Sequence, residues 1–177
     1  YPALRWAGFN SGKYWTALLN RDKHGYHVDG NNLSLTLLRN AYEPDAVTDS
    51  GVHNISYRLF FGKNDVLGVT KAAVEYNMPP IAADGEAPEK DFCPLVVRGK
   101  VLPTSFKKTL GRNSYILRLV EIEGKKQTAE IEFAKPLKKA YSTDAAEHRQ
   151  KAIQGARGRK LKLNIAPYQI VTLELEF

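Results

Sequence analysis

The sequence is poor in cysteine and lacks a long apolar run. Cys93 is the single cysteine among 177 residues, which excludes a disulfide within the chain and a zinc cage built from several thiolates. No apolar run approaches the roughly 20 residues that a transmembrane helix requires, so we expect no membrane partner. Scarce cysteine is also typical of proteins in a reducing compartment, and we expect a cytoplasmic location.

Motifs for self-contained catalysis are missing as well. The sequence contains neither a Gly-x-Ser-x-Gly nucleophile elbow nor a Gly-x-x-x-x-Gly-Lys-Ser/Thr phosphate loop. Glu43, Asp45 and Asp49 cluster around Pro44, a spacing more typical of a turn capped by acidic side chains than of the separated carboxylate pair of a glycosidase. We therefore expect no catalytic residue in this chain.

The histidines do not form a convincing metal site. His24 and His27 lie three residues apart, a spacing at which two imidazoles can share a metal ion. No third ligand is indicated nearby, so we interpret both as surface histidines and expect this chain to bind no metal. His53 follows Gly51 near the start of a predicted strand, and a structural hydrogen bond is its expected role.

The charge is positive but uneven. The formal net charge is +7, and residues 1–90 carry 9 basic and 10 acidic side chains whereas residues 91–177 carry 17 and 9. A basic surface attracts polyanions, but a nucleic-acid-binding protein of the β class also needs exposed aromatic rings on which bases stack. Tyr115, Phe133 and Phe177 fall on the apolar sides of predicted strands, so we expect no nucleic-acid partner and interpret alternating Lys and Glu as solvated surface.

A strong period of two dominates what is present. Apolar and polar residues alternate over residues 33–37, 54–61, 129–133, 160–165 and 171–177. Such alternation predicts half-buried antiparallel strands. The more continuously apolar Tyr14–Leu19 and Tyr115–Ile122 predict central strands buried on both faces. Together they predict a mainly β fold, made of antiparallel β-sandwich units with one or two short helices.

The same alternation predicts which side chains are buried. On the strand around residue 58, Tyr57, Leu59 and Phe61 are expected to face the core. On the last strand, Leu173 and its apolar neighbours are expected inside, and Glu174 is expected in water. Between strands, Asp29-Gly30 predicts a tight hairpin and Glu123–Lys126 predicts a second turn.

Two segments carry helix signals. Val69, Ala72, Ala73 and Tyr76 form a short apolar stripe that Pro79-Pro80 ends. Asp144–Ala152 is a weaker helix prediction, based on Asp144 as an N-cap with Glu147 three residues later.

A stretch rich in proline, glycine and acid separates the two halves. It runs from Asn77 to Glu89, and its prolines cannot occupy a central strand. We therefore predict two units, residues 1–88 and residues 89–177.

Several segments in order resemble the C-terminal region of α-mannosidases of glycoside hydrolase family 38. The segments that carry the resemblance are ALLNRDKHGY at 17–26, LSLTLLRN at 33–40, PD at 44–45, DSGVH at 49–53, the 57–61 strand, the 69–79 helix, SYILRL at 114–119, KKAYSTD at 138–144 and PYQIVTL at 167–173. The resemblance departs at His24 and His27, where the family more often has Tyr and Asp, and at Gly62. It also implies extended chain over Thr143–Glu147, against the helix prediction.

The resemblance implies a catalytic function for the whole enzyme and a non-catalytic role for this chain. Family members are retaining, zinc-dependent exo-acting enzymes that remove α-linked mannose, and their catalytic aspartate and zinc ligands lie in an N-terminal α/β domain. It implies that residues 1–88 are part of the larger C-terminal β-sandwich and residues 89–177 the smaller terminal one. Because the sequence opens on Tyr1, we expect a fragment or a processed product. The catalytic domain of the same enzyme and mannose-containing glycans are the implied partners, and a homo-oligomer is left open.

Four residues are candidate site residues. The resemblance implies that Arg39 approaches the catalytic pocket in some members, and the alternative is a salt bridge from Arg39 to Asp45 or Asp49. Another hypothesis is a free-standing β-sandwich module that binds glycans or polyanions. Exposed aromatic rings would then stack on sugars, and the candidates are Trp6, Tyr14 and Trp15.

Overall fold

The computed structural model divides the chain into two units, Tyr1–Ala83 and Asp84–Phe177. It describes residues 1–43, 49–63, 65–82, 84–85 and 93–177. Antiparallel sheets dominate both units, and the described residues form one α-helix. The predicted mainly β class is confirmed.

The first unit is built on a three-stranded antiparallel sheet. Its elements are β1 (Trp6–Asn10), β2 (Tyr14–Asn20), β3 (Tyr26–Asp29), β4 (Asn32–Leu35), β5 (Tyr57–Lys63) and helix α1 (Val66–Asn77). The sheet has the order β1-β2-β5, and β3 pairs with β4 in a separate hairpin. The hairpin turns at Gly30, whose φ of +54° is accessible to glycine at little cost, as Asp29-Gly30 predicted.

Strand β2 lies in the middle of this sheet and contributes to two apolar clusters. On one face, Ala17 and Leu19 pack with α1. On the other face, Leu18 packs with the hairpin residue Tyr26. The predicted burial of both faces of this strand is confirmed, although Tyr14 at its start is 59% exposed.

Helix α1 follows the predicted apolar stripe. Val69, Ala73 and Tyr76 are buried against the sheet. The Asn77 amide donates hydrogen bonds to the carbonyl oxygens of Asn20, at 2.9 Å, and Ala73, at 2.8 Å. The last turn of α1 is thereby fixed to the end of β2, just before the prolines at 79 and 80.

The predicted orientation of β5 is wrong. Tyr57, Leu59 and Phe61 are 54%, 57% and 71% exposed, whereas Phe60 packs against the cluster that contains α1. The cause is the position of the helix, which covers the face on which Phe60 pairs with Ala17. Alternation identified two faces of the strand correctly but gave no information on which face the helix would cover.

The second unit is a sandwich of two antiparallel sheets. Its strands are β6 (Leu95–Arg98), β7 (Val101–Lys108), β8 (Tyr115–Glu121), β9 (Gln127–Leu137), β10 (Lys139–Thr143), β11 (Arg149–Ala152), β12 (Gly158–Ile165) and β13 (Ile170–Glu176). One sheet has the order β11-β10-β13-β8-β7 and the other β12-β9-β6.

The core of the second unit lies between these sheets. Leu117, Leu119 and Leu173 come from the larger sheet, and Ile131 and Phe133 come from the smaller one. Strand β8 is central, and the predicted burial of both its faces is confirmed. The turn predicted at 123–126 carries the chain from β8 in one sheet to β9 in the other.

The helix predicted over Asp144–Ala152 is wrong. Residues 144–148 form a turn, and Arg149–Ala152 is strand β11, paired with β10. The Asp144 carboxylate accepts bonds from the backbone N–H of His148, at 2.9 Å, and from its Nδ1, at 3.0 Å. Glu147 has a φ of +68°, a left-handed conformation that a helix does not contain. The acid taken for a helix cap therefore caps a turn.

Candidate functional site

Trp6 and Trp15 contact each other beside helix α1. Their rings meet edge to face, with centroids 5.5 Å apart and planes at 86°. Both are half-buried and pack against the cluster of Ala17 and Leu19. Of the three sugar-stacking candidates, Tyr14 presents the most open ring, at 59% exposure.

Arg39 lies in the segment that follows β4, and its side chain is exposed. It lines a concave region of about 350 Å³ together with Lys23, Thr36 and Asp49. Within the described parts of the chain, no ion pair joins Arg39 to Asp49, and Asp45 lies outside the described residues. An exposed guanidinium beside a concave surface can offer paired N–H donors to a carboxylate or to sugar hydroxyls.

Where they are described, the remaining acidic and histidine candidates do not assemble into a site. The Nε2 atom of His53 lies 2.8 Å from the carbonyl oxygen of Asp49, which confirms its predicted hydrogen-bonding role. The Nδ1 atom of His24 lies 3.1 Å from the carbonyl oxygen of Leu4, and His27 is exposed on β3. Part of the acidic cluster, Pro44 and Asp45, lies outside the described residues. Among the residues that are described, no group of three His, Cys, Asp or Glu side chains is placed to hold a metal ion.

A buried ionic cluster around Glu174 is the main feature that the sequence pattern missed. Glu174 is fully buried, although alternation predicted it in water. Its carboxylate accepts two bonds from Arg149, both at 2.8 Å, and one from Arg112 at 2.9 Å. The Ser114 hydroxyl also donates to it. No local signal in the sequence brings together residues 112, 149 and 174, because only the folded sheet makes them neighbours.

The electrostatics of this cluster keep Glu174 ionised. Hydrogen bonds from Arg149 outweigh burial and, with those from Ser114 and Arg112, lower the pKa of Glu174 to about 2. The same pairing raises the pKa of the Arg149 guanidinium, which also contacts Glu176 at 2.5 Å and lies over the Tyr141 ring. A carboxyl that is ionised throughout the neutral range cannot act as a general acid there. The cluster joins β11 and the 112–114 segment to β13.

Glu121 is a second fully buried acid, and it joins two loops. Its carboxylate accepts backbone N–H bonds from Glu123 at 2.7 Å, Gly124 at 2.8 Å, Lys125 at 3.2 Å and Tyr168 at 2.9 Å. Burial alone raises the pKa of Glu121, but these four donors outweigh it and lower that pKa. Glu121 therefore fixes the 123–126 turn against the loop before β13.

Two basic residues of the small sheet are paired with acids across strands. Arg98 lies 3.3 Å from Glu132, and Lys162 pairs with Glu130. These side chains alternate with core residues such as Ile131. At these two positions, opposite charges face each other across neighbouring strands.

A cavity of about 500 Å³ opens beside aromatic side chains of the second unit. Phe106 and Tyr115 line it with ring centroids 5.5 Å apart and planes at 12°, and Phe177 meets Tyr115 edge to face. Asn113 and Lys135 add polar groups to its lining. The volume and the mixed lining are within the range of small-molecule sites.

Sequence comparisons identify the family. Residues 1–47 match the sequence model described as the glycosyl hydrolases family 38 C-terminal domain. Residues 100–173 match the one described as the family 38 C-terminal β-sandwich domain. The two matches together cover more than half of the chain, one in each structural unit.

Individual relatives agree with these matches. Alpha-mannosidase 2C1 of Homo sapiens is 33% identical over 98% of this chain, and that of Mus musculus is 32% identical over the same share. Alpha-mannosidase G of Dictyostelium discoideum is 36% identical over 32% of the chain.

The matched chain is a small part of each relative. It spans 18% of the length of the human and mouse proteins and 5% of the Dictyostelium protein. No helix in the described residues is long and apolar enough to cross a membrane. The chain belongs to glycoside hydrolase family 38, as part of the C-terminal region of its α-mannosidases.

Proposed function

We propose that this chain is the non-catalytic β-sandwich portion of a retaining, zinc-dependent α-mannosidase that hydrolyses terminal α-linked mannose. The observation that carries the proposal is the match of 98% of this chain to only 18% of the human and mouse enzymes. The role of such a portion is to support the catalytic domain of the same enzyme.

The acids of the described residues support a non-catalytic role. Glu121 and Glu174 are the fully buried carboxylates among these residues. Backbone N–H groups donate hydrogen bonds to Glu121, and arginines donate hydrogen bonds to Glu174. The described residues also do not fit a zinc ion, since no three ligating side chains converge. Zinc and the catalytic carboxylates therefore belong to other parts of the polypeptide in this proposal.

Arg39 is the residue we propose to assist the pocket of that catalytic domain. Its exposed guanidinium borders a concave surface, which suits a donor that reaches beyond its own unit. In the complete enzyme, Arg39→Lys is expected to raise KM for an aryl α-mannoside, because a lysine keeps the charge but not the paired donors. An unchanged KM and kcat would favour a purely structural Arg39.

Activity measurements test the main proposal. The 177-residue chain is expected to show no hydrolysis of an aryl α-mannoside with or without added zinc. The remainder of the enzyme, produced as a separate chain and mixed with residues 1–177, is expected to show zinc-dependent hydrolysis. Zinc-dependent turnover by the 177 residues alone would refute the non-catalytic role.

Binding of mannose-containing glycans is a second candidate function, which the aromatic cavity favours. The near-parallel rings of Phe106 and Tyr115 supply apolar faces, and Asn113 and Lys135 supply donors for hydroxyl groups. Titration with mannose oligosaccharides and with a single-stranded nucleic acid at two salt concentrations separates glycan from polyanion binding. Loss of glycan binding in Phe106→Ala points to the cavity, whereas loss in Tyr14→Ala points to the first unit.

A cytoplasmic location is also part of the proposal. Its support is the single cysteine, which is exposed. Fractionation of the source cells, with mannosidase activity as the readout, is the direct test.

A further inference from the structure

One face of the β1-β2-β5 sheet is covered over only part of its width. On this face, Leu18 and Ala7 are 8% and 5% exposed, because Tyr26 and other side chains of the β3–β4 hairpin pack on them. Leu59 of β5 pairs directly with Leu18 yet is 57% exposed. Among the described residues, the layer that covers β1 and β2 therefore stops before it reaches β5.

The uncovered side chains form one apolar surface. Phe61 pairs with Thr16, and Lys63 pairs with Tyr14, so Tyr14 lies diagonally across from Phe61. We call Tyr14, Tyr57, Leu59 and Phe61 the open face. Its members are 54% to 71% exposed. Four large apolar side chains grouped on one face are typical of an interaction surface and not of an ordinary solvated one.

The edge of β5 is also open. Within the described residues, β5 pairs with β2 and is the last strand of its sheet. The strand contains no proline, and Arg58 lies over the Tyr76 ring on the helix side, 4.7 Å from its centroid. Edge strands that face water are normally protected by prolines, bulges or inward charges. Arg58 is such an inward charge, so it is the open face, and not the edge, that indicates a partner.

We propose that the open face is where the remainder of the α-mannosidase polypeptide packs onto this region. The inference rests on the proposed function, and it names the surface through which that function is exerted. The relatives are more than five times as long as the chain, so most of such a polypeptide lies outside the 177 residues.

The area of the open face favours this occupant over a second copy of the chain. With about 150–250 Å² for each aromatic side chain, its exposed area is on the order of 500 Å². Contacts between domains of one chain bury about 600–1,500 Å² in total, counting both sides, and the open face fits that range. A stable dimer buries about 800 Å² on each partner, which is more than the open face offers.

The experiment co-produces residues 1–177 with the remainder of the enzyme as a separate chain. The wild-type chain is expected to co-purify, and Leu59→Asp/Phe61→Asp is expected to weaken binding at least about tenfold. The matched control is Leu110→Asp/Ile170→Asp, since these side chains of the second unit are 97% and 64% exposed. The control is expected to bind like the wild type. Hydrogen exchange should also show protection of the β5 amides in the complex.

Three results overturn the inference. They are equal binding by the two double variants, no binding by the wild-type chain, and a wild-type homodimer that the Leu59→Asp/Phe61→Asp variant dissociates. Failure of the proposed function has a different signature, which is a complex that assembles through the open face but does not hydrolyse an aryl α-mannoside. Thermal unfolding of each variant alone checks its folding.

Discussion

The two units differ in how completely they cover their apolar and charged groups. The second unit encloses its core between two sheets and buries Glu121 and Glu174 with partners. The first unit has a helix on one face of its sheet and a hairpin over part of the other, which leaves Leu59 and Phe61 open. Equal β-strand patterns thus give a closed sandwich in one unit and a partly covered sheet in the other. Whether an apolar side chain of a strand is buried therefore depends on the elements that pack over that strand.

Removal of Glu174 should have the largest effect on this comparison. Glu174→Ala leaves Arg149 and Arg112 without their shared carboxylate and is expected to destabilise the second unit by about 3 kcal/mol, the low end for a broken buried pair, because both arginine side chains are partly exposed. Urea unfolding, monitored through hydrogen exchange of the β8 and β13 amides, measures this loss of stability. The control is Glu176→Ala, which removes a half-exposed partner of the same arginine and should cost about 1 kcal/mol or less. Equal losses would show that burial of Glu174 is not the cause.

Both tryptophans of the chain lie in the first unit, so their fluorescence reports on that unit alone. In Glu174→Ala, the fluorescence transition is expected to stay near its wild-type midpoint, because every hydrogen bond of the Glu174 carboxylate is made within the second unit. A shift of that transition with the second unit would show that the units unfold together.

The units should also respond to pH in opposite directions. The pKa of Glu174 falls from 4.5 to about 2 on folding, so its contribution is complete above pH 4.5 and is lost as the pH falls toward 2. In the first unit, burial of the phenol raises the pKa of Tyr26 above 10. That contribution is complete below pH 10 and is lost as the pH rises through the folded pKa. Hydrogen exchange of the second unit should therefore show acid sensitivity, and tryptophan fluorescence should show alkaline sensitivity. An alkaline loss in the second unit alone would contradict this assignment.

Two neighbouring aromatic residues of β2 should differ in their effect on stability, by less than the effect expected for Glu174. Trp15→Ala is expected to destabilise the first unit by about 2–3 kcal/mol, because the ring packs against Trp6 and the helix cluster. Tyr14→Ala is expected to change stability by less than about 0.5 kcal/mol, since that ring is mostly exposed. Chemical unfolding monitored by circular dichroism compares the two. A larger loss in Tyr14→Ala would place Tyr14 in a packed contact.

The sequence predicted the type of each element well, but it predicted poorly which face of a strand is buried. Periodicity identified helix α1 and the central strands β2 and β8, because their apolar residues are close in sequence and fix the period locally. The same rule failed at Glu174, because Arg149 and Arg112, which cover it, are 25 and 62 residues away. It failed at Leu59 because periodicity does not show which face of β5 helix α1 covers. The helix predicted at Asp144 failed for a related reason. A capping acid stabilises a turn as readily as a helix, and the pairing of β10 with β11 decided between them.

The candidate site was predictable only in part. Resemblance placed the chain in its family and singled out Arg39, whose exposed position beside a concave surface is compatible with that role. The aromatic cavity was not predicted, because Phe106, Tyr115 and Phe177 come from distant parts of the chain and the pattern placed Tyr115 and Phe177 on the apolar sides of strands. Periodicity identifies the apolar side chains of a strand, but it does not distinguish those that line a cavity from those that are packed in the core.

The smallest expected effect on stability is also the most direct test of the open face. Phe61→Thr exchanges an exposed ring for a residue of high β propensity, so the stability of the isolated chain should change by less than about 0.5 kcal/mol. Phe60→Thr, one residue earlier on the helix-covered side, should cost about 2–3 kcal/mol. Tryptophan fluorescence during urea unfolding measures both. Because Phe61→Thr also removes apolar surface from water, the variant should remain soluble at higher ammonium sulfate concentrations than the wild-type chain. A loss as large as that of Phe60→Thr would mean that Phe61 is already packed within the chain, and β5 would then have no open face to offer.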